Sequence, residues 1–296
     1  MTQLTGKVAI VTGSGRGIGQ AVARRFAAEG ARLVVNTRTT GSVAETVRLI
    51  SQSGGEVIAV AGDVATPGVA GKIVQAAVDR WGTVDILVNN AAIIGPIAPL
   101  GSEDTALWQE TLRINVFGPY LMTRAVVPVM QKAKRGKIID VSSSANRGIG
   151  ANLVAYRTSK AALLRMSTVL AEMLAPLGIE VNSLDVHATT PMVQEMATWD
   201  AQDPVLAARF RQRLKNGEPT PEDNAELFAW LASDRSNGLY GRNICYWMNV
   251  ADLDRVKAQI IADPRALRME MVEVPGINPS EMAKAYEKRK GSPFPR

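Results

Sequence analysis

Tyr156 and Lys160 lie four positions apart at the start of residues 156–177, a stretch whose apolar residues recur at helical spacing. On a helix, this separation places the phenol and the ammonium on one face, one turn apart. Ser143 comes shortly before this helix, just after the strand-like run 137–141. Because open parallel sheets bind ligands at the carboxyl ends of their strands, we expect the three side chains to meet there.

These three side chains suit hydride transfer between a nicotinamide ring and a carbinol carbon. The reaction needs a group that takes the hydroxyl proton in oxidation or returns it to the carbonyl oxygen in reduction. Tyr156 can do this if its pKa falls from about 10 toward neutrality, and the positive charge of Lys160 acts in that direction. Ser143 would hold the substrate oxygen by a hydrogen bond. Taken one at a time, Tyr156 could be a packed helix tyrosine, Lys160 a solvated surface lysine and Ser143 a turn residue at the end of a strand. Because the three occur together in this order, we favour a catalytic role.

A glycine-rich turn, TGSGRGIG at residues 12–19, directly follows the apolar run 8–11 and precedes a helical pattern. A strand, a glycine turn and a helix in this order predict a dinucleotide site. Gly13 can form the tight turn, while Gly17 and Gly19 let a pyrophosphate and the neighbouring strand approach the helix start. The helix N-terminus then attracts the phosphates. An ordinary glycine-rich loop is the alternative when this pattern is taken alone.

The order of these and other motifs along residues 6–250 resembles the short-chain dehydrogenase/reductase family. The motifs are the turn at 12–19, Gly62-Asp63-Val64, Asn89-Asn90-Ala91-Ala92, Asn115 within LRINV, the Ser143, Tyr156 and Lys160 set, and LASD at 231–234 followed by Gly241-Arg242. Ala92 stands where the family usually has glycine, which is a mild departure.

The resemblance implies a role for each of these residues. Asn115 would anchor a water that links Lys160 to solvent, completing a catalytic set with Ser143 and Tyr156. The implied cofactor contacts are Gly13, Ser14, Arg16, Gly17, Ile18, Gly19, Arg38, Asp63, Val64, Asn90, Ala91, Tyr156, Lys160, His187, Thr190 and Met192. The resemblance also implies a homotetramer or homodimer formed through the fourth and fifth helices.

The end of the second predicted strand bears on the choice of cofactor. An acidic residue there would accept hydrogen bonds from the adenosine ribose, but residues 32–38 contain none. Arg38 follows the strand and Arg16 lies in the glycine turn, so two guanidinium groups are available for a ribose 2′-phosphate. We therefore favour NADP(H), with NAD(H) as the alternative if Arg16 caps the turn and Arg38 points to solvent. Asp63 is expected to accept from the adenine amino group or to cap a helix.

The clearest departure from the family follows the sixth predicted strand. Val186 and His187 take the positions of a usual Pro-Gly pair, and Thr190 takes that of a threonine expected to bind the nicotinamide carboxamide. His187 is the only histidine in the chain. It would lie beside nicotinamide and substrate and supply a pH-sensitive donor, or it is a loop histidine satisfied by backbone groups.

Apolar runs that alternate with helical stretches predict an α/β fold with a buried parallel sheet. The runs are 8–11, 32–35, 56–60, 86–88, 137–141, 179–184 and 243–248. They imply a Rossmann-type, doubly wound, seven-stranded parallel sheet in three α/β/α layers, with the order 3-2-1-4-5-6-7 by resemblance. We expect residues 1–250 to form one dinucleotide-binding and catalytic domain. Residues 251–296 would be an extension, amphipathic at 251–262, that packs on this domain or on a neighbouring subunit, or is disordered after about residue 279.

A segment before the seventh strand, residues 190–217, carries Met192, Met196, Trp199, Leu206 and Phe210 at helical spacing. It is expected to form a mobile lid over the substrate, or a fixed packing helix. Such a lid favours an apolar, cyclic or aromatic ketone, although the same residues also suit a simple core. A further helix should begin after Thr220 as N-cap and run to residue 233.

Composition excludes several classes of protein. The chain has 296 residues and a net charge of +6, but its basic clusters at 132–137 and 284–290 lack interleaved aromatics, so we expect no nucleic-acid partner. No long apolar run or leader pattern is present, which predicts a cytoplasmic protein without a membrane span. The single cysteine, Cys245, allows neither an internal disulfide nor, with one histidine, the usual zinc site, and we expect no metal.

The sequence thus predicts an oxidoreductase that transfers a hydride between NADP(H) and a secondary alcohol or ketone, an alcohol dehydrogenase or carbonyl reductase. Alternatives are an NAD(H)-dependent enzyme of the same family, a cofactor-binding scaffold or sensor without turnover, and an epimerase or dehydratase that uses the same site.

Overall fold

Seven strands form one fully parallel sheet in the order β3-β2-β1-β4-β5-β6-β7. The computed structural model describes residues 2–143, 152–217, 219–263 and 265–268. The strands are β1 (Val8–Thr12), β2 (Arg32–Thr37), β3 (Val57–Ala61), β4 (Ile86–Asn89), β5 (Gly136–Ser143), β6 (Ile179–Val186) and β7 (Asn243–Cys245). The predicted sheet and its order are confirmed. Only β7 is clearly shorter than its apolar run, which extends to residue 248.

Helices cover both faces of the sheet. They are α1 (Gly17–Ala28), α2 (Ala44–Gln52), α3 (Val69–Trp81), α4 (Thr105–Leu112), α5 (Gly118–Ala133), α6 (Val154–Leu174), α7 (Pro191–Met196), α8 (Pro204–Lys215), α9 (Pro221–Ala232) and α10 (Val250–Ala262). Strand β1 shows why two layers form. Its side chains alternate between faces, and Ala9 and Val11 pack in one core with α1 and α9, while Val8 and Ile10 pack in the other with α3, α5 and α6.

Residues 105–133 form three consecutive helical segments. Asp104 accepts hydrogen bonds from the N–H groups of Ala106 and Leu107 and so caps α4. A π-helical turn, Arg113–Phe117, then joins α4 to α5. Asn115 lies in this turn, and π turns occur frequently at functional sites.

Two helices form the segment predicted as a lid. Val193 and Met196 of α7, with Leu206 and Phe210 of α8, form a separate apolar cluster against Ile94 and Leu153. Tyr156 packs against this cluster. The methionines and aromatics at helical spacing therefore form a small core of their own.

Helix α9 begins as predicted, and α10 packs beside it. The Thr220 and Asp223 side chains form a capping box at the start of α9. Trp230 donates through Nε1 to Asp254 Oδ1 at 2.7 Å, which joins α9 to α10. The amphipathic pattern predicted at 251–262 is thus a helix with Leu253 and Ile260 buried. The rest of the predicted extension after residue 268 and the basic cluster at 284–290 lie outside the described residues.

Candidate active site

The structure brings Ser143, Tyr156 and Lys160 together at the carboxyl end of β5. The Ser143 hydroxyl hydrogen-bonds the Tyr156 phenol. Lys160 Nζ lies 5.7 Å from the centre of the Tyr156 ring. Its ammonium is buried and donates to the Val141 carbonyl at 2.7 Å. Positions 156 and 160 therefore lie on one face of α6, as their spacing predicts, and this face packs against the end of β5.

The electrostatics of this group differ from the sequence-based expectation. Burial raises the pKa of the Tyr156 phenol, because a phenolate loses hydration; the hydrogen bond from Ser143 acts the other way, and the Asp185 carboxylate adds to the rise. Burial also lowers the pKa of Lys160 to about 8, against the attraction of Asp140 and Asp185. The expected fall in the pKa of Tyr156 is therefore not a property of the protein's own groups, and further positive charge at the site would be needed to produce it.

Asn115 connects the π turn to two neighbouring segments. Its Oδ1 accepts from the Ile93 N–H at 2.8 Å, and its Nδ2 donates to the Ile93 carbonyl at 2.8 Å and to Ser159 Oγ at 3.0 Å. Ser159 Oγ in turn donates to the Tyr156 carbonyl at 2.7 Å. Since both amide hydrogens are used within the protein, the Asn115 side chain positions α6, and a water held here would need the backbone or the remaining Oδ1 lone pair.

The glycine turn is pressed against the end of β4. Gly13 has a φ of +63°, and a Cβ at this position would lie 2.7 Å from Ala91 Cα. A Cβ on Gly19 would collide with Asn90 Nδ2 and the Gly13 carbonyl. Asn90 Nδ2 fastens the turn by donating to the carbonyls of Thr12 at 2.9 Å and Gly13 at 3.0 Å. Only glycine fits this approach of helix start and strand.

A cavity of about 810 Å³ runs from the end of β2 to α8, a size typical of ligand sites. We call its boundary with the glycine turn and the ends of β2, β4 and β5 the sheet wall, and its boundary with α7 and α8 the lid wall. The predicted residues that line it are Gly13, Arg16, Gly17, Ile18, Arg38, Asp63, Val64, Asn90, Ala91, Ser143, Tyr156, Lys160, His187, Thr190 and Met192. Ser14, Gly19 and Asn115 lie behind the lining.

Ser14 is fully buried, and its side chain supports the loop. Its hydroxyl oxygen accepts from the Asn36 N–H at 3.0 Å, and its own N–H donates to the Asn36 carbonyl at 3.0 Å. These two hydrogen bonds hold Ser14 against the end of β2, and its cofactor contact stays a prediction.

The residues of the sheet wall fit a dinucleotide. The start of α1 opens into the cavity, since Gly17 and Ile18 line it. No side chain caps the N-terminus of α1, and its first turn carries no acidic residue. An uncapped helix N-terminus beside glycines suits a pyrophosphate, which accepts hydrogen bonds from the free N–H groups.

The two arginines predicted at the ribose phosphate occupy different settings. Arg38 lines the cavity just beyond β2. Arg16 lines it too, but its Nη1 pairs with Glu195 Oε1 of α7 at 2.8 Å. The guanidinium of Arg16 is therefore engaged with the lid wall, and this ion pair joins the two walls of the cavity.

Asp63 is held by Arg113 of the π turn. The Arg113 guanidinium pairs with Asp63 Oδ2, and Asp63 Oδ1 accepts from the Ala65 N–H at 2.9 Å. Burial would raise the pKa of Asp63, but these hydrogen bonds outweigh it and keep the pKa below its usual value. Asp63 lines the cavity, and its contact with the adenine amino group stays a prediction. It does not cap a helix, because α3 begins at Val69 with Gly68 as its N-cap. The pairing with Arg113 is not visible in the sequence.

His187 lies at the cavity and contacts neighbouring side chains through both its backbone and its ring. Its backbone N–H donates to Asn224 Oδ1 at 3.3 Å, and its carbonyl accepts from Asn224 Nδ2 at 3.1 Å. The residue lines the cavity. Its ring stacks on Tyr246 with 4.6 Å between ring centres, and a ring nitrogen lies 3.1 Å from Arg213 Nη2. Thr190 Oγ1 accepts from the Val193 N–H at 3.2 Å, so this threonine caps α7 as well as lining the cavity.

Sequence reasoning missed three arginines at the cavity. Arg157 follows Tyr156 on α6, and Arg209 and Arg213 lie one turn apart on α8; all three line the cavity. The four-residue spacing on a predicted helix was a usable signal, since it places both α8 guanidinium groups on one face.

Across the ranges given above, no group of three or more metal-ligating side chains is found. No helix in the part of the chain that the structure describes is long and apolar enough to cross a membrane. Cys245 is buried in β7.

Comparisons with known proteins agree with this architecture. The family model described as short chain dehydrogenase matches residues 7–201. The chain is 36% identical over 244 residues to dehydrogenase/reductase SDR family member 4 of Homo sapiens, covering 81% of this chain and 86% of that protein. It is 33% identical over 243 residues to a 3-oxoacyl-[acyl-carrier-protein] reductase of Synechocystis sp., covering 79% and 92%. A crystal structure of NAD+-bound xylitol dehydrogenase superposes with a TM-score of 0.76 at 26% identity, covering 82% and 98%.

Proposed function

Since the chain belongs to the short-chain dehydrogenase/reductase family of oxidoreductases, we propose that it interconverts a secondary alcohol and a ketone with NADP(H). The observation that carries this proposal is the meeting of Ser143, Tyr156 and Lys160 at the edge of a cavity large enough for a cofactor and a substrate. A scaffold without turnover would not need a phenol hydrogen-bonded to a serine inside that cavity.

When bound, the nicotinamide cofactor supplies the hydride for the carbonyl carbon or accepts it from the carbinol carbon. In reduction, the Tyr156 Oη–H gives its proton to the carbonyl oxygen, and in oxidation the Tyr156 phenolate takes the proton from the hydroxyl group. Ser143 holds that oxygen by donating a hydrogen bond as negative charge develops. The buried ammonium of Lys160 lies next to the ring, and it would favour the phenolate together with the positive charge of the oxidised nicotinamide.

The proposed cofactor contacts divide along the sheet wall. The uncapped N-terminus of α1 would hold the pyrophosphate, and Arg38 would hold the ribose 2′-phosphate by charge-assisted hydrogen bonds. Arg38 supports NADP(H), as does the lack of an acid at the end of β2. NAD(H) is the second candidate, because Arg16 already pairs with Glu195 and the xylitol dehydrogenase is NAD+-bound.

Self-association is the remaining part of the proposal. Phe117 and Tyr120 are partly exposed, with 5.8 Å between their stacked rings. These aromatics lie at the π turn and the start of α5, on the surface through which we propose that a homodimer or homotetramer forms.

A cofactor-oxidation assay tests the proposal. The protein is mixed with NADPH or NADH and a panel of ketones, and the absorbance of the reduced nicotinamide is followed. We expect one alcohol to form for each cofactor oxidised, with NADPH preferred. Binding of reduced cofactor without any turnover across the panel would indicate the scaffold instead, and product formation without net cofactor oxidation would indicate epimerisation or dehydration.

A further inference from the structure

The part of the cavity beyond Tyr156 is strongly cationic. The described residues that line the whole cavity include the basic side chains of Arg16, Arg38, Arg157, Lys160, Arg209 and Arg213. Among the same described residues, the only acidic one is Asp63, and it lies on the sheet wall in an ion pair with Arg113. An imbalance of one sign in a cleft with apolar walls raises the local concentration of ions of the other sign.

Three of these arginines lie away from the predicted cofactor phosphates. Arg209 and Arg213 project from α8, and Arg157 is the residue directly after Tyr156. Burial lowers the pKa of the Arg157 guanidinium, and charge repulsion from Arg209 lowers it further. Holding like charges near each other beside the reacting phenol carries an electrostatic cost, which a bound anion would offset.

Arg213 is held in a defined position. Its guanidinium carbon lies 5.1 Å above the centre of the Phe210 ring, and its Nη2 lies 3.1 Å from a ring nitrogen of His187. Because His187 is itself stacked on Tyr246, the guanidinium rests between two supported rings. A positioned guanidinium loses less freedom on binding and matches the two oxygens of a carboxylate or phosphoryl group.

The other arginine of α8 shows the contrast. Arg211 pairs through both terminal nitrogens with Asp200, at 2.6 Å and 2.9 Å. It is absent from the described lining of the cavity. The helix therefore directs Arg209 and Arg213 toward the cavity and Arg211 toward Asp200.

We infer that the substrate carries an oxyanion, a carboxylate or a phosphoryl group, which Arg157, Arg209 and Arg213 bind while its carbonyl or hydroxyl group meets Tyr156. This inference rests on the proposed function, from which it takes the reaction, and it adds the chemical class of the substrate. It differs from the sequence-based preference for an apolar, cyclic or aromatic ketone, and the apolar lid residues that line the cavity would then contact the uncharged part of the substrate.

Paired probes of equal shape test the inference. Reduction by NADPH is measured for 4-acetylbenzoate against 4-acetylbenzamide, for 5-oxohexanoate against 5-oxohexanamide, and for 4-acetylphenyl phosphate. Affinity for each probe is measured separately by calorimetry on the Tyr156→Phe protein with bound NADP+. We expect the better of the anionic probes to exceed its neutral partner by at least about tenfold in kcat/KM, since charged hydrogen bonds contribute about that much. A higher kcat/KM for 4-acetylphenyl phosphate than for both carboxylates would identify a phosphoryl substrate. A higher kcat/KM for a carboxylate would identify a carboxylate substrate.

Variants of α8 assign the effect to the arginines. Arg209→Gln and Arg213→Gln should each reduce the ratio of anion to amide about tenfold, mainly through KM, and Arg213→Lys should restore part of it. Arg211→Gln is the matched control and should leave the ratio unchanged. The inference is overturned if wild-type protein binds and reduces amides as well as acids, or if neither class binds. Tighter binding of acids without cofactor oxidation would keep the inference and reject the proposed function.

Discussion

The sheet wall and the lid wall of the cavity are built from different kinds of contact. On the sheet wall, Asn90 fastens the glycine turn through backbone carbonyls, and Lys160 is fastened to the end of β5 in the same way. On the lid wall, side chains contact other side chains, as in the Arg16–Glu195 pair and the apolar cluster of α7 and α8. Under the proposed function, the wall held by backbone contacts binds the cofactor, and the wall built from side-chain contacts selects the substrate.

The first consequence concerns the buried ammonium of the sheet wall. Burial lowers the pKa of Lys160 to about 8 in the folded protein, while in the unfolded chain it is about 10.4. Between these two pH values Lys160 is protonated in the unfolded state but largely deprotonated in the folded state. The free energy of unfolding therefore rises with pH in this interval. Below pH 8 the folded protein bears the full cost of burying the charged ammonium.

Lys160→Met removes this titration. We expect the stability of the variant relative to wild type to fall by roughly 3 kcal/mol at most from pH 7 to pH 10.5, as measured by urea unfolding. Lys72→Met, at an exposed position of α3, is the control. A relative stability of the Lys160 variant that does not change over this interval would show that the ammonium is not buried as described.

The second prediction tests the cofactor end of the sheet wall. Arg38→Asp replaces a proposed phosphate ligand by a carboxylate that repels phosphate and accepts from ribose hydroxyls. The ratio of kcat/KM for NADPH to that for NADH should fall about a hundredfold. An unchanged ratio would place the 2′-phosphate elsewhere.

The third prediction concerns a substitution that disturbs the close packing of the glycine turn against the end of β4. In Gly19→Ala the new methyl group collides with Asn90 and the Gly13 carbonyl, and overpacking of this kind costs about 2 kcal/mol of stability. Gly71→Ala is the matched control, because a Cβ at this helical position has nothing within 4 Å, and the substitution should stabilise by about 0.5 kcal/mol. Equal unfolding free energies for the two variants would contradict the close approach.

The smallest effect is expected where the two walls join. Arg16 and Glu195 are both mostly exposed, and such pairs contribute about 0.5 kcal/mol or less. Glu195→Gln should therefore leave the melting temperature nearly unchanged while freeing Arg16 for the ribose phosphate, so that KM for NADPH falls about threefold. A rise in KM would mean that the ion pair itself shapes the cofactor site.

The sheet wall was easier to predict from the sequence than the contacts that join it to the rest of the molecule. The strands and the glycine turn were predictable because a buried parallel strand must be apolar on both faces and a tight turn must lack a Cβ. The seventh strand was predicted too long because Tyr246 leaves the ladder to stack on His187. The partners of Arg16 and Asp63 were not predictable, since Glu195 and Arg113 are distant along the chain and only the folded structure brings them near.

The central claim is proton transfer by Tyr156 next to a bound cofactor, and removal of a single oxygen atom tests it most directly. Tyr156→Phe keeps the ring in the cavity but removes the group that exchanges the proton. Stopped-flow measurement of NADPH oxidation with a ketone that the wild type reduces should show a rate at least about 100-fold lower, with cofactor affinity retained. A variant that reduces the ketone at the wild-type rate would contradict the account.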